Sequence, residues 1–123
     1  MKLTDLYTVD KHDAGAEVQI LDGEGNKTPL KIRVRGMDSA VFRAATKRQQ
    51  KLYVEAMRED REYDSEIGVI DGLVDATMGW SGTDEKFTPE LCKELYEKAP
   101  YVKDQIDRFI GDRANFTKAK RKK

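Results

Sequence analysis

The side chains in this sequence that could support catalysis or metal binding are few and far apart. His12, the only histidine, lies between Asp10 and Asp13, and this cluster could hold a metal ion weakly. No second histidine or group of thiols in the sequence completes such a site. Cys92, the only cysteine, would need a base to act as a nucleophile, and the histidine lies in a distant segment. We therefore expect His12 to lie in a polar loop and Cys92 to lie in the core or at its boundary.

Carboxylates are numerous, but their positions do not indicate an acid–base pair. Such a pair needs a pocket that shifts a pKa, whereas the acids of residues 58–66 alternate with arginines in a charged link. Asp71 and Asp75 are four residues apart and could bind a cation, although a solvated helix face is the more common reason for this spacing. The stretch Asp22–Asn26 has the glycines of a phosphate loop but no following Lys-Ser/Thr. The sequence therefore predicts a protein that is not an enzyme and uses no metal ion or cofactor.

The composition indicates one small domain with a charged surface. The chain has 123 residues, of which 38% are hydrophobic and 37% are charged. A chain of this length can bury a modest core under a dense surface of mixed charge. The single cysteine excludes an internal disulfide and is consistent with a reducing cytoplasm. The N-terminus lacks the apolar region of a signal peptide, and no apolar run is long enough to cross a membrane.

The charge is balanced overall but unevenly distributed. Residues 118–123 contain five of the 23 basic side chains and no acid, so the rest of the chain has 18 basic and 23 acidic side chains, a net charge of −5. This acidic body argues against a globular nucleic-acid-binding domain. We expect the tail to be solvated and disordered, with contact to an acidic partner or nucleic acid as the alternative. Lys31, Arg33 and Arg35 lie on one face of a predicted strand and are the best candidates for a cationic contact surface.

The first 35 residues predict a flexible arm followed by a β-hairpin. Residues 1–15 are weakly patterned, whereas residues 16–35 alternate apolar and polar side chains around the turn-forming stretch Asp22–Lys27. A lone hairpin is marginally stable in water, so its apolar face must pack on helices or on another copy. One α+β domain is expected over residues 16–116, between the arm and a basic disordered tail at 117–123.

The remainder of the chain predicts about four helices. Apolar side chains recur with helical spacing over residues 39–59 and 65–78, and Gly79 is placed to end the second of these helices. Proline favours the first position of a helix, so further helices are expected to begin at Pro89 and Pro100. The expected fold class is therefore α+β, with an N-terminal β-hairpin followed by a small bundle of about four helices.

Helix ends and internal glycines each allow two local interpretations. Either Asp38 or Ser39 can cap the first long helix, and Ser65 can cap the second. Gly68 and Gly72 lie four residues apart within the second helix. They allow either the close approach of a neighbouring helix or a weak, frayed first turn.

The last third of the chain contains the most specific motifs. In chain order they are Trp80-Ser81-Gly82, Thr88-Pro89, Pro100-Tyr101-Val102, Gln105-Ile106 and Asn115-Phe116. Over residues 67–116 this pattern resembles the C-terminal half of small tail assembly chaperones from long-tailed, siphovirus-like bacteriophages. Those proteins often have a Trp-x-Gly turn, a short helix, a Pro-initiated helix with an aromatic-apolar-x-x-Gln-Ile pattern and a terminal Asn-Phe.

The resemblance implies a function without catalysis or cofactors. Tail assembly chaperones coat the long, aggregation-prone tape-measure protein in the host cytoplasm, help tail-tube subunits polymerise around it and are generally absent from the finished tail. Many also occur in a longer, frameshifted form whose extra domain binds tube protein, so this chain would be the short form. The lysine-rich ending of this chain departs from the family pattern.

The resemblance and the apolar pattern together suggest a partner-binding surface on the C-terminal helices. Its expected residues are Trp80, Leu95, Tyr101, Val102, Ile106 and Phe109. Most of these side chains must also contribute to the core. The edges of the predicted hairpin could pair between copies and give a homo-oligomer.

Two other functions remain open at this point. A structural tail-completion or connector protein would have a similar composition but would remain in purified virions. A small nucleic-acid-binding regulator would use the strand cations, Lys31, Arg33 and Arg35, together with the basic tail, and its binding would be sensitive to salt.

Overall fold

The structure is a computed structural model that describes residues 1–117. Within this range it contains one short 3₁₀ helix, six α-helices and three β-strands. The elements are the 3₁₀ helix Leu3–Leu6, α1 Val9–Ala14, β1 Ala16–Leu21, β2 Lys27–Val34, α2 Ala40–Arg58, α3 Ser65–Ala76, β3 Thr77–Ser81, α4 Pro89–Lys98, α5 Pro100–Gly111 and α6 Ala114–Thr117. None of these helices is both long and apolar enough to cross a membrane.

The class α+β is correct in outline, but the predicted arrangement, an N-terminal hairpin followed by a bundle of about four helices, is wrong. The hairpin of β1 and β2 is present, but the 3₁₀ helix and α1 precede it in the segment 1–15 that was expected to be irregular. A third strand, β3, follows α3, so the sheet has three antiparallel strands in the order β1-β2-β3. Of the predicted basic tail, Thr117 closes α6, and residues 118–123 lie outside the described range.

β3 was missed because its pairing is not local. Ala76 ends α3, and Met78 continues the apolar spacing of that helix, so the sequence predicts helix as far as Gly79. In the structure Trp80 is instead paired with Ile32 of β2, nearly 50 residues earlier in the chain. Pairing between distant segments can override a weak local preference in so short a strand.

The core lies between one face of the sheet and helices α3, α4 and α5. Since side chains alternate along a strand, the inward positions of β1 and β2 form a single apolar layer. These positions are Val18, Ile20, Ile32 and Val34, all buried. Helix residues that complete the core are Ile70, Leu73, Ala76, Cys92, Tyr96, Val102, Ile106 and Ile110, together with Phe116 of α6.

Helix starts follow local capping rules. Of the two candidates before α2, Ser39 is the cap, because its side chain accepts a hydrogen bond from the Phe42 backbone N–H. α3 begins with Asp64, not Ser65, as its cap, and the Asp64 carboxylate accepts from the backbone of the first turn. Thr88 and Pro89 start α4 as expected.

Candidate protein-binding surface

A concave, mainly apolar surface of the described chain lies between α2 and α3. This α2–α3 groove has a volume of about 660 Å³. Its lining is mainly apolar or small, with Phe42, Ala45, Tyr53, Val54, Gly68, Val69, Gly72 and Leu73 among the contributing residues. Asp107 of α5 is the only charged residue in the lining. An open apolar groove of this kind suits another protein segment better than a polar metabolite.

The two glycines of α3 bring the walls of the groove together. A Cβ at Gly72 would lie 4.0 Å from the Cβ of Ala45, and one at Gly68 would lie 2.6 Å from Oε1 of Gln49. The Gln49 Oε1 accepts a hydrogen bond of 2.7 Å from the Tyr63 hydroxyl, which closes the same end of the groove. Of the two alternatives for these glycines, the structure therefore has the close helix approach.

Large apolar side chains are exposed around this groove. Tyr53, Val54 and Val69 line it and are 49%, 45% and 44% exposed. Leu52, Met57 and Ile67 on the same helix pair are also exposed. Single exposed apolar residues are ordinary on a protein surface, but several exposed apolar side chains that line one groove are characteristic of an interaction site.

A second, smaller groove contains two of the residues predicted to bind a partner. It has a volume of about 350 Å³ and lies between the sheet and α4, where Trp80 and Leu95 contribute to its wall. The Trp80 indole Nε1 donates to the Glu85 carbonyl over 2.8 Å, and its ring packs edge-on against Phe87. Trp80 is half-buried, and these two contacts fix the position of its ring.

The other predicted partner-binding residues are divided between core and surface. Val102 and Ile106 are 2% and 0% exposed, so in this fold they present no surface to a partner. Phe109 is half-buried and packs against Phe116. Tyr101 is 47% exposed and lies outside the α2–α3 groove. The predicted set therefore does not form one continuous surface.

Several residues of the chaperone-like motifs make specific tertiary contacts. Gln105 of α5 exchanges two hydrogen bonds of 2.8 Å with the backbone N–H and C=O of Leu21, at the end of β1. Gly82 has φ +90°, and a Cβ there would overlap the carbonyl of Pro29. The Trp80–Gly82 turn therefore requires glycine for both its conformation and its close approach to β2.

The predicted cationic surface is partly occupied by internal contacts. Lys31 and Arg33 lie on the exposed face of β2, and Arg33 is paired in register with Glu17 of β1. The Arg33 Nη2 donates to the carbonyl of Ala14 over 2.9 Å. Arg35 lies beyond the end of β2, and its backbone N–H donates to Ala76. These contacts tether the Arg33 guanidinium to the end of α1, but within the described residues none of the three cations forms an ion pair.

His12 lies in helix α1 and not in a polar loop, and its side chain is fully buried. Its Nδ1 accepts a hydrogen bond of 3.2 Å from the Asp38 backbone N–H, and its ring stacks on Phe116 at 5.0 Å. Nε2 lies 3.6 Å from the Asp38 carboxylate and has no hydrogen-bond partner among the described residues.

The surroundings of His12 favour its neutral form. Burial lowers its pKa below the ordinary value, and the nearby Arg113 guanidinium acts in the same direction. The carboxylates of Asp38 and Asp13 oppose this effect but do not reverse it. Arg113 itself binds Asp38 through two hydrogen bonds of 2.7 and 3.1 Å, which hold the pKa of Asp38 below its usual range.

Cys92 is a core residue, as expected, and its surroundings are structural. It is fully buried, and burial raises the pKa of its thiol, which disfavours a reactive thiolate. Beside it the hydroxyls of Tyr96 and Thr77 are 2.7 Å apart, and Thr77 donates to the Leu73 carbonyl. Among residues 1–117 there is no cluster of three or more His, Cys, Asp or Glu side chains that could hold a metal ion.

The sequence interpretation missed the α2–α3 groove. A signal was present, because Val54 and Met57 widen the apolar stripe of α2 beyond what one buried helix face requires. No protein-family model, curated protein or solved structure matches this chain. The functional proposal therefore depends on the motifs and on the geometry of these surfaces.

Proposed function

We propose that this protein is a non-enzymatic tail assembly chaperone of a long-tailed bacteriophage. It would bind the tape-measure protein, keep it soluble and promote polymerisation of the tail tube around it. The observation that carries the proposal is the α2–α3 groove with its rim of exposed apolar side chains, because a chaperone needs an accessible apolar surface for its client. The motifs of residues 80–116 supply the particular family.

The charge-rich composition supports the same function. Of all residues, 37% are charged, so the surface around the groove remains hydrated while the groove covers apolar side chains of the client. In this proposal binding requires no cofactor, metal ion or chemical step. The protein would act in the host cytoplasm and would be absent from the mature virion.

Two further partners belong to this proposal. Tail-tube protein would be bound through a longer, frameshifted form of the chain. Copies of the chaperone could also associate along one client, and β3 offers an edge strand for such pairing.

The first test is co-expression of the tape-measure protein from the same genome with and without this chain. We expect the client to be largely insoluble alone, and soluble and co-purifying when this chain is present. Two tyrosines with nearly equal exposure make a matched pair of variants: Tyr53→Glu lies in the groove, and Tyr101→Glu lies on the C-terminal surface predicted from sequence. Tyr53→Glu should lower the amount of co-purified client severalfold, whereas Tyr101→Glu should leave it unchanged.

Other outcomes would favour other functions. If the client stays insoluble and this chain is found in purified virions, a structural tail-completion or connector protein becomes the better explanation. Salt-sensitive binding to DNA or RNA without any effect on the client would instead support a nucleic-acid-binding regulator. Circular dichroism of both tyrosine variants establishes that a loss of binding is not a loss of folding.

A further inference from the structure

The α2 side of the groove has an excess of unpaired positive charge. α2 contains five Lys or Arg residues and one Glu. Arg48 forms an ion pair with Asp75 of α3. Within the described part of the chain, the other four cations of α2 form no ion pair; they are Arg43, Lys47, Lys51 and Arg58.

The α3 side of the groove is electrostatically neutralised. Each of its three acids is paired with a cation inside the molecule, Asp75 with Arg48 as above. Asp71 lies 3.6 Å from the Nζ of Lys93, and Glu66 lies 3.7 Å from the Nζ of Lys103. The unpaired positive charge beside the groove therefore belongs to α2. Asp107 of α5, which also lines the groove, forms no ion pair within the described part of the chain and adds one negative charge on the α5 side.

Helical spacing places these cations beside the apolar lining. Arg43, Lys47, Gln50 and Val54 follow one another at intervals of four, three and four residues, so they form one row along α2. Gln50 and Val54 line the groove. An occupant whose apolar face enters the groove would therefore bring its flank alongside Arg43 and Lys47.

The walls of the groove indicate the secondary structure of its occupant. Both walls are helices whose backbone groups are already hydrogen-bonded, so an added strand would find no edge to pair with. An occupant that satisfies its own backbone, a helix, meets this requirement. α3 has 12 residues, and a groove of that length spans about 18 Å, or roughly three turns of a bound helix.

We propose that the α2–α3 groove binds an amphipathic α-helix of a partner protein, with an apolar face in the groove and acidic residues along the flank next to α2. This inference rests on the proposed function in one respect, because the tape-measure client would supply the helix. It goes further in specifying the conformation and the charge of the bound segment.

The test uses two synthetic 18-residue helical peptides with the same leucine face. One peptide has glutamates along its flank and the other has lysines, and binding to the full-length protein is followed by fluorescence anisotropy. We expect the acidic peptide to bind roughly tenfold more tightly than the basic one at low salt, with the difference decreasing as ionic strength rises.

Two double variants separate local from general charge effects. Arg43→Glu with Lys47→Glu should reverse the preference between the peptides. Lys27→Glu with Lys86→Glu makes the same change in net charge at exposed sites outside the groove, and it should keep the preference. Tyr53→Glu should weaken the binding of both peptides.

The inference and the proposed function can fail separately. Equal binding of both peptides, or binding that Tyr53→Glu does not affect, would overturn the groove assignment even if co-expression solubilises the client. Two other results would also overturn the groove assignment. One is a concentration-dependent dimer of this protein that Tyr53→Glu dissociates, and the other is duplex DNA that binds as tightly as the acidic peptide. Selective binding of the acidic peptide without client solubilisation would support the groove assignment and remove the tape-measure protein as its partner.

Discussion

His12 joins three segments that are far apart in sequence. Its ring lies between the Asp38 backbone, which follows β2, and the ring of Phe116 in α6. The neighbouring Gly36 has no room for a side chain, because a Cβ there would overlap the imidazole. Since Nδ1 accepts a hydrogen bond, the neutral ring carries its proton on Nε2, and a second proton on Nδ1 would face the Asp38 N–H donor.

This arrangement makes stability depend on pH in a defined direction. The pKa of His12 is lowered in the folded state, chiefly by burial, so the unfolded chain binds the proton more readily. The stabilisation by neutral His12 is complete above its unfolded pKa of about 6.5 and is lost as the pH falls from there towards the folded-state pKa. We expect the urea midpoint of unfolding to decrease as the pH is lowered from 7.5 to 5.0. The decrease should be smaller in the His12→Gln variant.

NMR can test the same prediction without a variant. His12 is the only histidine, so its ring Cε1–H gives a single resonance. Titration should place its midpoint below 6.5. A midpoint above 6.5 would mean that the Asp38 and Asp13 carboxylates outweigh burial and Arg113, and the sign of the pH effect would reverse.

α3 combines poor helix propensity with close packing on α2. Gly68 and Gly72 each cost about 1 kcal/mol relative to alanine in a helix. They differ in the space around them, since a Cβ at Gly72 would make an ordinary contact with Ala45, whereas one at Gly68 would overlap the Tyr63 hydroxyl and crowd Gln49. Propensity and packing can therefore be separated within a single helix.

The two glycines should respond oppositely to the same substitution. Gly72→Ala should raise the free energy of unfolding by up to about 1 kcal/mol, because alanine favours the helix and fits the space. Gly68→Ala should leave the free energy of unfolding unchanged or lower it by about 1 kcal/mol, because it disrupts the hydrogen bond between Tyr63 and Gln49. Urea denaturation of both variants measures this. Equal stabilisation would mean that α2 can move away from Gly68 at little cost.

Elements were predictable from sequence where local physics determines them. The proline starts of α4 and α5 and the alternation of β1 and β2 each need only a few neighbouring residues. β3 depends on Ile32 and its neighbours in a distant strand, and α1 has only six residues, too few for a periodic pattern. The α2–α3 groove depends on the angle at which two helices meet, which neither helix specifies alone.

At the scale of the whole molecule, α1 near the start of the described chain packs against α6 at its end. α1 contacts α6, where His12 stacks on Phe116, and Arg113 binds Asp38 in the linker before α2. The Asp13 carboxylate also accepts a hydrogen bond of 2.8 Å from the Ala40 N–H at the start of α2. Residues 8–15 therefore pack against the body, whereas the sequence predicted a flexible arm over residues 1–15.

Truncation of the N-terminus tests whether this segment is packed against the body or is a flexible arm. Residues 1–7 contribute little to the core, since Leu3, Leu6 and Tyr7 are 70%, 60% and 68% exposed. Their removal should change the free energy of unfolding by less than about 1 kcal/mol. Removal of residues 1–15 takes away the buried His12 and uncovers Phe116, and should cost about 3 kcal/mol, in the range of a large-to-small core substitution. Urea denaturation at pH 7.5 measures both, and similar small effects would show that the N-terminal helices are not needed to close the fold.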